Sequence, residues 1–428
     1  MTRTALVHRR SVLAALVAGS FAPRLAFGQS VLDAASLGVV ADSGTDQSQA
    51  LQAALDEAAQ SGQFLRLPAG VIDVVDLRIP GNLVVEGVPG RSTVAVSGGI
   101  TVSAANALTL REIGFTGGAV TLTITGSDDV HLERCRFGSA AVGLGIHDSA
   151  VSVRDCTFSQ MGDAAIHAIN SRGTMISGNR ISECGNAGIR IWRDEQGPDG
   201  SIVSGNRIGA IGWVGGGNGQ NGNGVNVFNA DDVIVADNHI ADCAFTAVRL
   251  NATSNNQVSG NVCLRSGEVA IFSEFGFSGS VIANNIIDHA ATGISITNLD
   301  TGGQLAVCSG NVVRNISPAS AVNPDTIPIG IFAEADTAIT GNSVHNVPGV
   351  GIAAGYGEVL RNVVIDGNMV SGSTIGIGVS VVEGAGRVSI GDNMVDASQH
   401  AVVGLAWTEV VETDLLANRD RFGNVQLR

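Results

Sequence analysis

His167, Arg190, Arg249 and Glu274 are not scattered along the chain. They fall in one short recurring pattern of the type Gly-Ile-x-Ile, seen in Ala187-Gly188-Ile189-Arg190-Ile191-Trp192 and Thr246-Ala247-Val248-Arg249-Leu250-Asn251. His167, Arg190, Asn226 and Arg249 take the variable place, while Trp192, Phe228, Asn251, Glu274 and Glu334 stand two places later. A histidine or carboxyl group at such a place can act as general base or acid. Arginine pairs with carboxylates, and tryptophan and phenylalanine offer flat apolar faces. Together these types suit proton transfer beside a bound, partly anionic chain, so His167, Arg190, Arg249 and Glu274 are the candidate catalytic residues. Trp192, Asn226, Phe228, Asn251 and Glu334 are the candidate binding residues.

The elements that position them can be read from the repeat. A corner pattern, apolar-x-Gly-Asn-x-Ile/Val, recurs as Ile176-Ser177-Gly178-Asn179-Arg180-Ile181, Val203-Ser204-Gly205-Asn206-Arg207-Ile208, Ile339-Thr340-Gly341-Asn342-Ser343-Val344 and Ile365-Asp366-Gly367-Asn368-Met369-Val370. Looser copies centre on Asn238, Asn261, Asn285, Asn311 and Asn393, and earlier ones place Cys135 and Cys156 where the asparagine stands. About twelve copies follow residue 110, most of them roughly one short solenoid turn apart. Between them lie strands of period two with one apolar face and no helical pattern. A β-propeller would need blades of about 40 to 50 residues joined by hairpins, roughly twice this repeat. The expected fold is all-β, a right-handed parallel β-helix in which asparagine suits the corner and its amide bonds the next turn. In such a stack the side chains of one register pile into columns about 4.8 Å apart.

Ahead of the repeat, Thr45 to Gly62 reads as an amphipathic helix with Thr45 as N-cap, Leu51, Ala54, Leu55 and Ala58 on one face, and Gly62 as stop. It would cover the open end of the solenoid. The boundaries expected are 1–28 for a targeting segment, 29–109 for the cap helix and first turns, 110–407 for the repeat, and 408–428 for a C-terminal cap.

Leu37-Gly38-Val39-Val40-Ala41-Asp42-Ser43-Gly44-Thr45-Asp46, the helix after it, and Leu67-Pro68-Ala69-Gly70 resemble the opening of pectate-lyase-like β-helix proteins. With Arg9-Arg10 ahead of a short apolar stretch, and with the Gly-Asn repeats, the whole chain resembles a family of twin-arginine-translocated repeat proteins whose function is not established. That resemblance implies the twin-arginine translocase as a partner in export, and a periplasmic or secreted location. The resemblance to pectate-lyase-like enzymes implies that the strand face carrying the candidate residues holds substrate.

An extended polysaccharide, a uronate polymer among the candidates, fits such a face. Trp192 and Phe228 would stack on sugar rings, and Arg190 and Arg249, two rungs apart, would pair with uronate carboxylates. A lyase or epimerase would use His167 or Glu274 to move a proton. A hydrolase would need two carboxyl groups, and Glu274 and Glu334, two rungs apart, approach the roughly 6.5 to 9.5 Å separation of an inverting pair. The alternative is a non-catalytic envelope scaffold or interaction protein. Insertions at Gly209–Gly222 and Ser317–Thr326 before the strand, and at Arg193–Gly200 and Leu299–Gln304 after it, would wall a groove.

Composition narrows the rest. All 24 basic side chains are arginines, which removes lysine Schiff-base chemistry, and a formal charge of −15 without a basic tail argues against nucleic acid as a partner. The one apolar N-terminal stretch is shorter than the roughly 20 residues of a bilayer span, so no integral span is expected in the mature protein. No cofactor motif is recognisable, and the histidines fall in different registers, so no metal site is expected. Cys135 and Cys156 share a corner position in adjacent rungs, near disulfide range. Cys184 and Cys243 are a rung too far apart, while Cys263 and Cys308 point inward.

Overall fold

A computed structural model describes residues 30–217, 219–299 and 302–428, and Val31–Arg428 form one compact unit. The sequence candidates Arg9 and Arg10 lie outside the described residues. The chain winds as a parallel β-solenoid of about 14 turns. Two turns more than the corner repeat announces arise before residue 110, where Phe64–Arg66 pairs with Leu83–Glu86 and Leu83–Glu86 with Leu108–Arg111, without a Gly-Asn corner. Strands that precede the corner stack into one sheet of 16. The strand after the corner and the Gly-Ile-x-Ile strand make the other two walls, and in rungs such as Thr157–Ile169 and Val262–Glu274 they run on as one bent strand.

Each corner is turned by a residue in the left-handed region. At the Gly-Asn corner that residue is the glycine: Gly178, Gly205, Gly260, Gly310, Gly341 and Gly367 have φ between +63° and +68°. The asparagine is left to form the ladder that the sequence suggested. Its side chain points inward and bonds the next rung, Nδ2 donating to the Oδ1 above at 2.9–3.0 Å through eight links from Asn179 to Asn393. Each Oδ1 also accepts the backbone N–H of the asparagine below, as Asn238 does from Asn206 at 2.9 Å. A buried amide with all its groups paired is rigid and specific, since leaving one unpaired costs about 1–3 kcal/mol. The column runs on into cysteine, with Cys156 N–H bonded to Asn179 Oδ1 and Cys135 N–H to Cys156 Sγ at 3.4 Å.

Apolar columns fill the interior. Phe115, Phe137 and Phe158 stack at 5.2 and 4.6 Å between centroids, and Ile166, Ile189, Val225, Val248 and Ile271 are fully buried one above another. All six cysteines are buried free thiols, Cys135 and Cys156 included. Burial pushes Cys184, Cys263 and Cys308 up to about 12, so they remain thiols at neutral pH and pack as small apolar groups.

The N-terminal helix spans Ser48–Ser61, ends at Gly62 with φ +66°, and buries Leu51, Ala54, Leu55 and Ala58. Thr45 is not its N-cap. The Thr45 hydroxyl bonds Ser43 instead, and Asp46 accepts the Ser48 N–H at 2.9 Å. Leu51 and Leu55 sit over Leu67, Leu77 and Ile100 at the end of the interior column. At the other end Glu409–Glu412 folds back antiparallel on Met394–Ala406, and Val425–Leu427 adds a last parallel strand. Among the described residues no helix is long and apolar enough to cross a membrane.

Candidate functional site

The columns read from the repeat are the columns of the fold. His167, Arg190, Asn226, Arg249 and Phe272 are successive register partners, and Ile169, Trp192, Phe228, Asn251 and Glu274 form the parallel column beside them. Their side chains gather into two polar clusters separated by the rung of Asn226.

In the first cluster Arg190 is clamped two-handed by Asp163 at 2.8 and 2.8 Å, and its Nη2 also donates to Asn221 Oδ1 at 3.0 Å. Asn186 braces the same carboxylate at 2.9 Å. Burial works to raise the Asp163 carboxyl, but hydrogen bonds from Arg190 and Asn186 outweigh it and hold the group below its ordinary value. His167 meets the Trp192 ring edge-on at 5.0 Å, and the Arg190 guanidinium lies 5.2 Å from that ring. Burial first, then the charge of Arg190, push His167 down to about 4, so it is neutral at physiological pH.

The second cluster is centred on Arg249. Its Nε donates to Glu274 Oε1 at 2.5 Å and its Nη1 to Glu268 Oε2 at 3.2 Å. One face of the guanidinium lies 4.9 Å from the Phe272 ring. The backbone of Gly219 presses on it as well, because a Cβ there would stand 2.4 Å from Cζ, and φ is +106°. Only glycine allows that approach. Glu268 is held by three donors: Thr246 at 3.1 Å, Arg249, and Asn323 at 2.8 Å from the insertion ahead of Ile329. Asn251 donates to Glu274 at 2.8 Å, and burial raises the Glu274 carboxyl despite the charge of Arg249.

Above these groups opens a cleft of about 460 Å³. Its apolar lining is Trp192, Phe228, Phe272 and Phe275, and its polar lining includes Asn226, Asn251, Arg249, Glu268, Asn323 and Asp325. Two insertions wall it, as the sequence suggested for the segments ahead of the strand. Gly219 and Gln220 take hydrogen bonds from Asn226 at 3.3 and 3.5 Å, and Ser320 anchors the second loop on the Gly267 carbonyl at 2.6 Å. The segment after the strand behaves differently, since it continues the strand to Pro198, pairs with Ala230 and Asp231 of the next rung, and bonds Gln196 to Asp231 and Ser254.

Of the sequence candidates, Trp192, Asn226, Phe228, Asn251 and Arg249 line the cleft. His167 and Arg190 belong to the first cluster, outside the cleft lining. Glu274, 2% exposed, lies beneath Arg249 and orients it. Glu334 is two rungs beyond Glu274 and binds the backbone N–H groups of Asn298 and Leu299, which fixes the following segment. The two arginines assigned to a ligand's carboxylates are met by protein carboxylates, because Asp163 and Glu268 sit one rung before and one rung after them. Asp163, Asn186 and Glu268 each stand four places ahead of an outward strand residue, a column visible in the sequence as a polar residue before Ala-Ala-Ile, Ala-Gly-Ile and Val-Ala-Ile. Asn323, on an insertion, carries no such signal.

Comparison with known proteins fixes the hand of the winding. Residues 98–219 match the family described as a right handed beta helix region. No curated protein matches the sequence. Among solved structures, the catalytic unit of a thermostable GH87 alpha-1,3-glucanase from Streptomyces thermodiastaticus is similar with a TM-score of 0.61 at 16% identity, over 85% of this chain and 68% of that one. A mannuronic acid specific polysaccharide family 6 lyase from human gut microbiota gives 0.57 at 11% identity, over 92% and 93%. The enzymatically active domain of bacteriophage CBA120 tailspike protein 2 gives 0.51 at 13%, over 72% and 47%. At these identities the likeness is one of fold.

Proposed function

We propose that the protein is an exported polysaccharide-binding β-helix whose ligand lies along the Gly-Ile-x-Ile face and is gripped at the cleft over Arg249. The observation that carries this reading is the lining of the cleft. Phe228 and Phe275 leave 38% and 42% of their surface open, enough for sugar rings to stack on, beside polar groups already fixed by protein partners. Groups held in place before binding lose little entropy on binding. Similar folds in a glucanase, a lyase specific for mannuronic acid and an enzymatically active tailspike domain support the assignment to a sugar polymer. In a binding assay of the mature protein against a polysaccharide panel, Phe275→Ala should weaken retention about tenfold. Equal retention by that variant, or none by the wild type, would remove the cleft from the account.

A second reading, cleavage of the bound chain, is favoured by one feature. Two carboxyl groups, Glu268 and Asp325, line the same cleft, as a hydrolase requires. Release of reducing ends that stops in both Glu268→Gln and Asp325→Asn would assign it.

Export through the twin-arginine translocase to the periplasm or medium belongs to the same proposal and rests on Arg9 and Arg10. Replacing both by lysine should hold the precursor in the cytoplasm, and unchanged fractionation would refute that route.

A further inference from the structure

The geometry points to a neutral glycan, a chain whose sugars carry no carboxylate, as the ligand of the cleft. This inference rests on the polysaccharide reading above and narrows it, against the uronate polymer that two outward arginines suggest in the sequence.

A uronate site needs uncompensated positive charge. Arg190 has none to offer, because Asp163 takes it two-handed and Asn221 takes what remains of Nη2. Arg249 is the one cationic side chain lining the cleft among the described residues, and it lies between Glu274 and Glu268. Asp325 adds a third carboxyl group at the exposed rim. Two carboxyl groups therefore contact the one guanidinium and a third lines the same cleft, in a chain of net charge −15. A polyanion approaching this surface meets repulsion that the ion pairs do not relieve, since opposite charges already in contact show a third charge little net field.

What the lining does offer fits hydroxyl groups. Glu268 and Asp325 accept from sugar O–H, as carboxylates do most strongly. Arg249 Nη2 has no hydrogen-bond partner among the described residues, and the recorded bonds of Asn251 use only its Nδ2, leaving a donor and an acceptor beside the open rings of Phe228 and Phe275. An uncharged polyol with one apolar ring face matches each of these groups.

The test is affinity electrophoresis of the mature protein in gels carrying a neutral β-glucan, a neutral α-glucan, alginate or polygalacturonate, at low and at about 0.3 M salt. The expected result is retention by a neutral glucan that salt does not change. Alginate and polygalacturonate should be weaker by about tenfold or more at low salt, and Asp325→Asn should narrow that gap several-fold. Retention by an acidic polymer as strong as by either glucan, and lost in Phe275→Ala, overturns the neutral-glycan inference and leaves the polysaccharide cleft standing. Silence from all four polymers overturns both.

Discussion

His167 shows how far a single outward residue can depart from solvated behaviour. Its ring is neutral because burial and the neighbouring Arg190 push it from 6.5 to about 4. The unfolded chain therefore takes up a proton before the folded one does, so the contribution of this residue is whole above about pH 6.5 and drains away as pH falls toward 4. After allowance for partial exposure, about 2 kcal/mol is at stake. The raised carboxyl of Glu274 acts in the opposite sense, so the informative quantity is a difference between two proteins. In urea unfolding between pH 7 and pH 4, His167→Gln should lose less stability than the wild type. Parallel pH curves would contradict this account. The spacing places His167 and Arg190 in one column and Asp163 in a polar column four places ahead, but it does not pair Asp163 with Arg190, because that contact crosses from one rung to the previous one and from one column to another.

At the scale of the element, period-two alternation and the spacing of Gly-Asn were enough to fix strands, register and columns, because a one-residue slip would expose the buried face. The bonding of each corner amide to the next turn was legible in the sequence, but the residue that makes the turn was not: glycine and asparagine both tolerate left-handed angles, and the stacked geometry assigns the turn to Gly178 and Gly205. The helix start was misplaced because Thr45, a good cap by type, bonds Ser43 instead, and the N-cap position falls on Gln47, which makes no side-chain cap. Position along the ladder should matter. Asn206 donates to Asn238 and the Ile176 carbonyl and accepts twice from Asn179. Asn206→Leu would strand these partners and should cost about 3–5 kcal/mol. Asn393, partly exposed, accepts twice from Asn368 and donates to the Ile365 carbonyl but has no asparagine above it, and since water can reach the partners it leaves, Asn393→Ala should cost about 1–2 kcal/mol. Equal shifts in the denaturant midpoint of the two variants would show that the ladder is ornamental.

For the whole molecule, the ends are the weak points of a stack whose rungs touch only their neighbours. Deleting residues 31–62 would uncover Leu67, Leu77 and Ile100 at the end of the interior column. The truncated chain should associate into oligomers visible by light scattering, while the wild type stays free of such species. A monodisperse monomer from that deletion would mean the helix is dispensable as a cover. The same neighbour-only contact has another consequence, which concerns descent. Phe228 and Phe272 are two rungs apart, about 10 Å along the axis. Duplicating one rung between them would lengthen the cleft by about 5 Å while leaving every strand its usual neighbour and every ladder asparagine its partner. The length of ligand such a protein accommodates is therefore a trait that unequal recombination can alter in whole-rung increments, independently of the residues that give each rung its chemistry.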